Sequence, residues 1–180
     1  IKKNKKDFDI VLLTANNNYK KLVDQAKEFK VKNVLINNSL LYEKAKKLLG
    51  KNKIKVYSGK TSINKIVRGK LDYTMSAIVG IAGLQPTLDV IKISKIVAIA
   101  NKETIICGWD ILTKYIKKYN TKILPVDSEH FSIMELTRGV SNDEVEEIII
   151  TASGGPFLNL KKSQMTKATP AQAANHPNWK

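Results

Sequence analysis

The 180-residue sequence predicts an α/β fold organised on a parallel sheet, and three observations carry that reading. Short apolar runs alternate along the chain with longer amphipathic stretches. Several runs are continuous rather than alternating, which is the pattern of strands covered on both faces. The intervals are long enough for a crossover helix, the connection that parallel strands require.

Taken in order, the apolar runs fall at 10–13, 34–36, 54–57, 96–100, 123–126 and 148–150, with 73–75 a weaker strand candidate. Helices are predicted between them over 19–29, 40–49, 62–68, 84–91, 104–119 and 128–137. In the first helix Leu22, Ala26 and Phe29 recur at helical spacing, while Lys21, Asp24 and Lys27 take other faces. Gly50 follows Leu49 where a C-terminal cap is expected. Cys107 is expected to be buried in its helix and chemically silent. After Asn120, ILPVDSEHFSIMEL and ITASGGPFLNL put polar and glycine residues directly behind apolar runs, so two domains are expected, 1–122 and 123–180. The tail, TKATPAQAANHPNWK, holds a short helix at 170–174 and then a proline turn.

Composition removes several classes. Apolar residues make up 43% of a 20.1 kDa chain, enough for a sizeable core, so collagen-like and wholly disordered readings fall. No apolar run approaches the roughly 18–20 residues of a membrane-spanning helix. The opening IKKNKKDFDI has charge without an apolar stretch behind it, so no signal peptide is expected. A lone cysteine, Cys107, forms no disulfide framework, and an intracellular, cytoplasmic protein is expected. The net charge of +15 is uneven: residues 1–70 hold 19 basic and 5 acidic side chains, and residues 71–180 hold 12 and 11. Of the basic residues, 29 are lysine and only Arg68 and Arg138 are arginine, the residue that nucleic-acid interfaces favour. No specific nucleic-acid partner is expected, and the excess of lysine, asparagine and isoleucine reads as coding bias.

Several clusters can carry chemistry. Asp127, Ser128, Glu129 and His130 follow the run ILPV directly. Two carboxylates two positions apart suit Mg²⁺ or Mn²⁺, while Asp127 and Ser128 equally suit the cap of the next helix. His130 reads first as a packing histidine, and as a third ligand or acid/base second. Ser153-Gly154-Gly155-Pro156 offers backbone amides and a hydroxyl to an oxyanion, or forms a plain turn. Lys102, between Asn101 and Glu103, lies just past a strand's carboxyl end, where parallel sheets bind ligands; a helix start with Glu103 in its first turn accounts for it as well. Gly80 and Gly83 can let backbone approach a cofactor, and His176 with Trp179 in HPNW can cover a small polar substrate or anchor a loop. No GxGxxG turn adjoins the run 10–13.

In sequence order, AIVGIAGLQPTL, IVAIANKETIICG, ILPVDSEHFSI, ITASGGPF and ATPAQAANHPNW closely resemble 1-deoxy-D-xylulose 5-phosphate reductoisomerase. The resemblance extends across essentially all of the chain and is looser over the first seventy residues. It implies a Rossmann-like parallel sheet followed by part of an α/β catalytic domain, in a homodimer. It implies NADPH-dependent conversion of a phosphorylated sugar, 1-deoxy-D-xylulose 5-phosphate, to 2-C-methyl-D-erythritol 4-phosphate in non-mevalonate isoprenoid synthesis. Carried residue by residue, it assigns Asp127 and Glu129 to Mg²⁺ or Mn²⁺, Lys102 and Ser128 to substrate oxygens, and Ser153 and His176 to the substrate phosphate. Trp179 would close over the substrate from a mobile flap, while Gly80, Ala100, Asn101 and Glu103 line the cofactor groove.

Departures accompany the match. The family's first strand and glycine-rich turn are expected before Ile1, and its third metal-ligand glutamate and helical domain beyond Lys180. An internal fragment of a longer enzyme is therefore expected, inactive in isolation. At Thr14-Ala15-Asn16-Asn17-Asn18 the family commonly reads AGKN, whose lysine can meet the 2′-phosphate of NADPH; Asn18 matches, Asn16 and Asn17 do not, and Lys20 and Lys21 stand nearby. The competing readings are an inactive α/β remnant or interaction domain and another NAD(P)-dependent dehydrogenase.

Overall fold

The computed structural model describes residues 1–59, 61–150 and 155–175. The chain divides into two compact units, Ile1–Asp127 and Ser128–Lys180. The expected parallel α/β architecture is present in the first unit as two three-stranded parallel sheets.

The first sheet has the order β1 (Leu12–Ala15), β2 (Asn33–Ile36) and β3 (Lys55–Ser58), with Leu12 level with Asn33 and Asn33 level with Lys55. Helix α1 (Tyr19–Glu28) crosses from β1 to β2 and buries Leu22, Val23 and Ala26, a stripe at helical spacing. Helix α2 (Tyr42–Leu49) crosses from β2 to β3 and adds Ala45 and Leu49 to a core shared with Val31, Val34 and Ile36. The cap expected at Gly50 is displaced. Gly50 stays right-handed with φ −56°, a 3₁₀ turn runs on over Gly50–Asn52, and the left-handed residue is Lys53 with φ 56°.

The second sheet has the order β4 (Leu71–Ser76), β5 (Ser94–Ile99) and β6 (Lys122–Pro125), with Tyr73 level with Ile96 and Ile96 level with Lys122. The helix expected over 62–68 is a single turn, α3 (Ile63–Ile66), because Val67 is already extended. Helix α4 (Leu84–Ile91) and helix α5 (Lys102–Tyr119) pack with this sheet through Leu88, Ile91, Val97, Ile99 and Leu112. Asn120 ends α5 in the left-handed region, and the buried Thr121 hydroxyl then bonds the carbonyls of Ile91 and Ser94 at 2.7 and 3.0 Å. Cys107 corrects another expectation, for its thiol is exposed. The buried stripe of α5 is Thr104, Gly108 and Leu112. At about 100° per residue Cys107 points about 100° from the middle of that buried stripe.

The second unit contains α6 (Ser128–Leu136), α7 (Lys162–Met165) and α8 (Pro170–Ala174). A 3₁₀ turn over Asn142–Glu144 closes with a capping box, in which the Ser141 amide and hydroxyl both donate to Glu144 at 2.9 Å. Those bonds hold the Glu144 carboxyl below its ordinary value. The strand expected at 148–150 does not form: Ile148, Ile149 and Ile150 are 56, 73 and 64% exposed. No strand of this unit lies among the described residues for them to pair with. Among the described residues no helix is long and apolar enough to cross a membrane.

Candidate functional site

Ligands of open parallel sheets lie outside the carboxyl ends of the strands. At the end of β5 that region is organised by Asn101, which is only 2% exposed. Its side-chain oxygen accepts from the Thr104 amide at 2.9 Å and caps α5. Its nitrogen donates to the carbonyls of Ile78 and Gly80, the latter at 2.9 Å, and so ties down the loop that follows β4. Gly80 holds φ 75°, a value L side chains rarely adopt, and the space where its Cβ would stand is open. Gly83 permits close approach instead: a Cβ there would run into the Asn101 amide and stand 2.6 Å from the Ile78 carbonyl oxygen.

Around this frame Ala100 and Lys102 are exposed and Glu103 is half-buried in the first turn of α5. Ile78, Val79 and Ile81 expose 38, 85 and 58% of their surface beside Gly80, an apolar rim suited to a planar ring. The Thr104 hydroxyl is buried without a hydrogen-bond partner. Open space over Gly80, exposed apolar side chains beside it and a loop fixed by the Asn101 amide are compatible with a nicotinamide ring, so these residues fit that cofactor.

A second crest lies at the carboxyl ends of β1 and β2. Backbone bonds continue past the strands there, from Asn37 N–H to the Ala15 carbonyl at 2.8 Å and from Asn38 N–H to that of Asn16 at 3.2 Å. Side chains join the same loops: Asn37 donates to Asn16 at 3.0 Å and Asn38 to Asn17 at 2.9 Å. Asn18 caps α1 by accepting from the Lys21 amide at 3.2 Å. Sequence reasoning missed Asn37 and Asn38. Their signal was two asparagines directly behind one apolar run, matching three behind the run before.

Beyond β6, Asp127 is half-buried, and Ser128, Glu129 and His130 occupy the first turn of α6, all exposed. Their carboxylate oxygens are hard donors of the kind Mg²⁺ and Mn²⁺ take, so Asp127 and Glu129 fit a divalent ion by donor chemistry. Among the described residues no three of His, Cys, Asp and Glu gather as a metal site. Ser153, His176 and Trp179 lie outside the described residues. Away from these crests, Lys92 donates to Asp89 at 3.0 Å, and that hydrogen bond holds its ammonium above the ordinary lysine value.

Two family models match the chain in sequence order: 1-deoxy-D-xylulose 5-phosphate reductoisomerase over residues 1–108, and the 1-deoxy-D-xylulose 5-phosphate reductoisomerase C-terminal domain over residues 123–180. The chain belongs to the 1-deoxy-D-xylulose 5-phosphate reductoisomerase family. It is 50% identical to the reductoisomerase of Pelagibacter ubique over 181 aligned residues, covering 99% of this chain and 47% of that protein. Against the reductoisomerase of Bacteroides fragilis it is 39% identical, covering 96% of this chain and 45% of the relative. Among solved structures it resembles the reductoisomerase of Zymomonas mobilis in complex with NADPH, with a TM-score of 0.78 at 36% identity over 98% of this chain and 47% of that one. A reductoisomerase in complex with NADPH, fosmidomycin and magnesium aligns with a TM-score of 0.73 at 29% identity, over 99% of this chain and 47% of that one. The chain therefore spans about half the length of the reductoisomerases it matches.

Proposed function

We propose that this chain is the nucleotide-binding domain, residues 1–122, and part of the catalytic domain, residues 123–180, of a 1-deoxy-D-xylulose 5-phosphate reductoisomerase. The whole enzyme converts 1-deoxy-D-xylulose 5-phosphate to 2-C-methyl-D-erythritol 4-phosphate as a cytoplasmic homodimer. One observation supports the reading best: 98% of the chain aligns with a reductoisomerase in complex with NADPH at a TM-score of 0.78. When bound, NADPH supplies a hydride and Mg²⁺ or Mn²⁺ polarises the substrate's oxygens.

The chain's own residues then have distinct tasks. Gly80, Ala100, Asn101 and Glu103 line the nicotinamide groove, with Asn101 fixing the loop so that the ring meets a preformed surface. Asn18 and its neighbours meet the adenosine end. Asp127 and Glu129 hold the divalent ion with two hard oxygen donors. Lys102 and Ser128 bind the substrate's oxygens, Ser153 and His176 bind its phosphate, and Trp179 covers it to exclude water.

The test is loss of reduced-nicotinamide absorbance by the full-length protein given substrate and Mg²⁺ or Mn²⁺. Asp127→Ala and Glu129→Ala should each bring turnover to background while changing NADPH affinity by less than about threefold. Turnover that survives both substitutions rejects the metal role, and absence of substrate-dependent oxidation in the parent protein rejects the enzyme.

A further inference from the structure

We propose that Ser76 and Thr87 are positioning residues for the cofactor: their buried hydroxyls fix the loop between β4 and α4, so that the nicotinamide end of the dinucleotide meets a loop already in its binding conformation. The inference rests on the nucleotide-binding reading above and names two residues outside the groove that set its shape.

The loop has little apolar anchorage of its own. Ala77, Ile78, Val79, Ile81 and Ala82 are all exposed, and Gly80 turns through φ 75° between them. Polar groups at its two ends hold it instead. Ser76, the last residue of β4, is buried, and Thr87, in the first turn of α4, is fully so. Their hydroxyl oxygens stand 2.7 Å apart, and the Thr87 hydroxyl donates to the Gly83 carbonyl at 2.7 Å. A threonine hydroxyl has one proton. With that proton directed at Gly83, Ser76 is the donor to Thr87, and the direction of the relay is fixed. It joins the strand before the loop to the helix after it.

The relay then runs into the Asn101 clamp. The Gly83 N–H donates to the Gly80 carbonyl at 3.0 Å, and the same carbonyl accepts from the Asn101 amide at 2.9 Å. On the strand side the Ala100 N–H donates to the Ser76 carbonyl at 2.9 Å, beside Asn101 in sequence. Thr87 alone links the two ends of the loop through side chains: removing its hydroxyl leaves every Asn101 bond in place yet parts Gly83 from Ser76. Ser76, Gly83, Thr87 and Asn101 are uncharged and buried, where an unmade hydrogen bond is unfavourable enough to enforce one arrangement. A glycine-containing loop released at one end populates other conformers, and a ligand that needs one of them binds more weakly in proportion to the fraction lost. Both hydroxyls are buried, so they act through the loop and not on the ring.

The experiment follows binding to the full-length protein, by reduced-nicotinamide fluorescence for NADPH and by calorimetry for adenosine 2′,5′-bisphosphate, a probe with the adenosine end alone. Thr87→Val should weaken NADPH by about three- to tenfold and leave the bisphosphate within about twofold, because only the nicotinamide loop is released. Thr87→Ser restores the hydroxyl and should return NADPH to within about twofold of the parent. Ser76→Ala should weaken NADPH by about threefold, and adding it to Thr87→Val should cost no further affinity, since both break one relay. In turnover the loss should fall on KM for NADPH, with kcat and KM for the sugar phosphate within about twofold. Equal weakening of NADPH and the bisphosphate, or no recovery in Thr87→Ser, marks a general structural role and overturns the proposal. Unchanged NADPH affinity in Thr87→Val, or in Ser76→Ala should the valine variant fail to fold, overturns it as well and leaves the nucleotide reading standing. A parent protein that binds neither probe up to about 10 mM defeats the nucleotide reading and the proposal together.

Discussion

Asn101→Ala removes three hydrogen bonds at once from a position 2% exposed. Helix α5 loses its N-cap, worth about 1 kcal/mol. The carbonyls of Ile78 and Gly80 lose their shared donor; a carbonyl left unpaired costs about 1 kcal/mol or more when water cannot reach it. This loop is partly open, so hydration returns some of that loss, and the expected total is about 2–3 kcal/mol. With a urea m-value of about 2 kcal/mol/M for a unit of this size, the midpoint should fall by about 1–1.5 M, read by far-UV circular dichroism. Asn101→Asp separates the two tasks. It keeps the cap oxygen, loses both donors and sets a carboxylate against two carbonyl oxygens, which raises that carboxyl's pKa in the folded state. A raised folded pKa means stability is recovered as pH falls through it, so the aspartate variant should be less damaged near pH 5 than near pH 7. A midpoint change below about 0.3 M for the alanine variant, or no pH dependence for the aspartate variant, refutes the view that Asn101 holds this loop.

Three further outcomes are expected. Asp89→Asn should cost about 0.5–1 kcal/mol at neutral pH by removing the 3.0 Å bond that raises Lys92. That stability is complete below the unfolded lysine value of 10.5 and is lost as pH rises through the higher folded one, so midpoints of parent and variant should converge only on the alkaline side of 10.5. Cys107 is exposed, so a disulfide thiol reagent should label it stoichiometrically without denaturant; labelling that waits for unfolding contradicts its placement. Gly83→Ala should destabilise by about 2 kcal/mol, because its Cβ would stand 2.6 Å from the Ile78 carbonyl oxygen. Its cost should shrink in combination with Asn101→Ala, whose missing amide is the other obstacle, and strict additivity in a double-mutant cycle argues against that contact.

Much of the first unit was legible because its apolar runs are short, continuous and separated by one helix each. The prediction over 84–91 coincides with α4, and Leu22 and Ala26 are buried as the periodicity of α1 requires. The failures share one cause, which is that a local pattern does not state what will pack against it. Three consecutive isoleucines at 148–150 look like a covered strand, yet strand formation needs a neighbouring ladder, and they stand exposed. Cys107 was assigned by residue type, whereas its angle on α5 decides its exposure. At the candidate site, Asn101 was visible as a position behind a strand, but its grip on Ile78 and Gly80 spans more than twenty residues and is tertiary. The pairs Asn16 with Asn37 and Asn17 with Asn38 lie 21 residues apart and become readable only once β1 and β2 are known to be adjacent.

The break between the two sheets is also an electrical one. Residues 1–70, which contain the first sheet, carry a net +14, while residues 71–180 carry +1. Each sheet has its own buried cluster, and most of the excess lysines surround the first, while Lys65, Arg68 and Lys70 lie beside α3 and β4 at the second. The ion pairs of Lys2 and Lys5 with Glu28 bind two of those charges to a single carboxylate. At physiological ionic strength the Debye length is about 8 Å, short enough to mute most of the rest, whereas in dilute buffer it reaches about 30 Å and the charges act together. Low ionic strength should therefore weigh more heavily on β1–β3 than on β4–β6. Dialysis into low salt should lower amide-proton protection more in the first sheet than in the second.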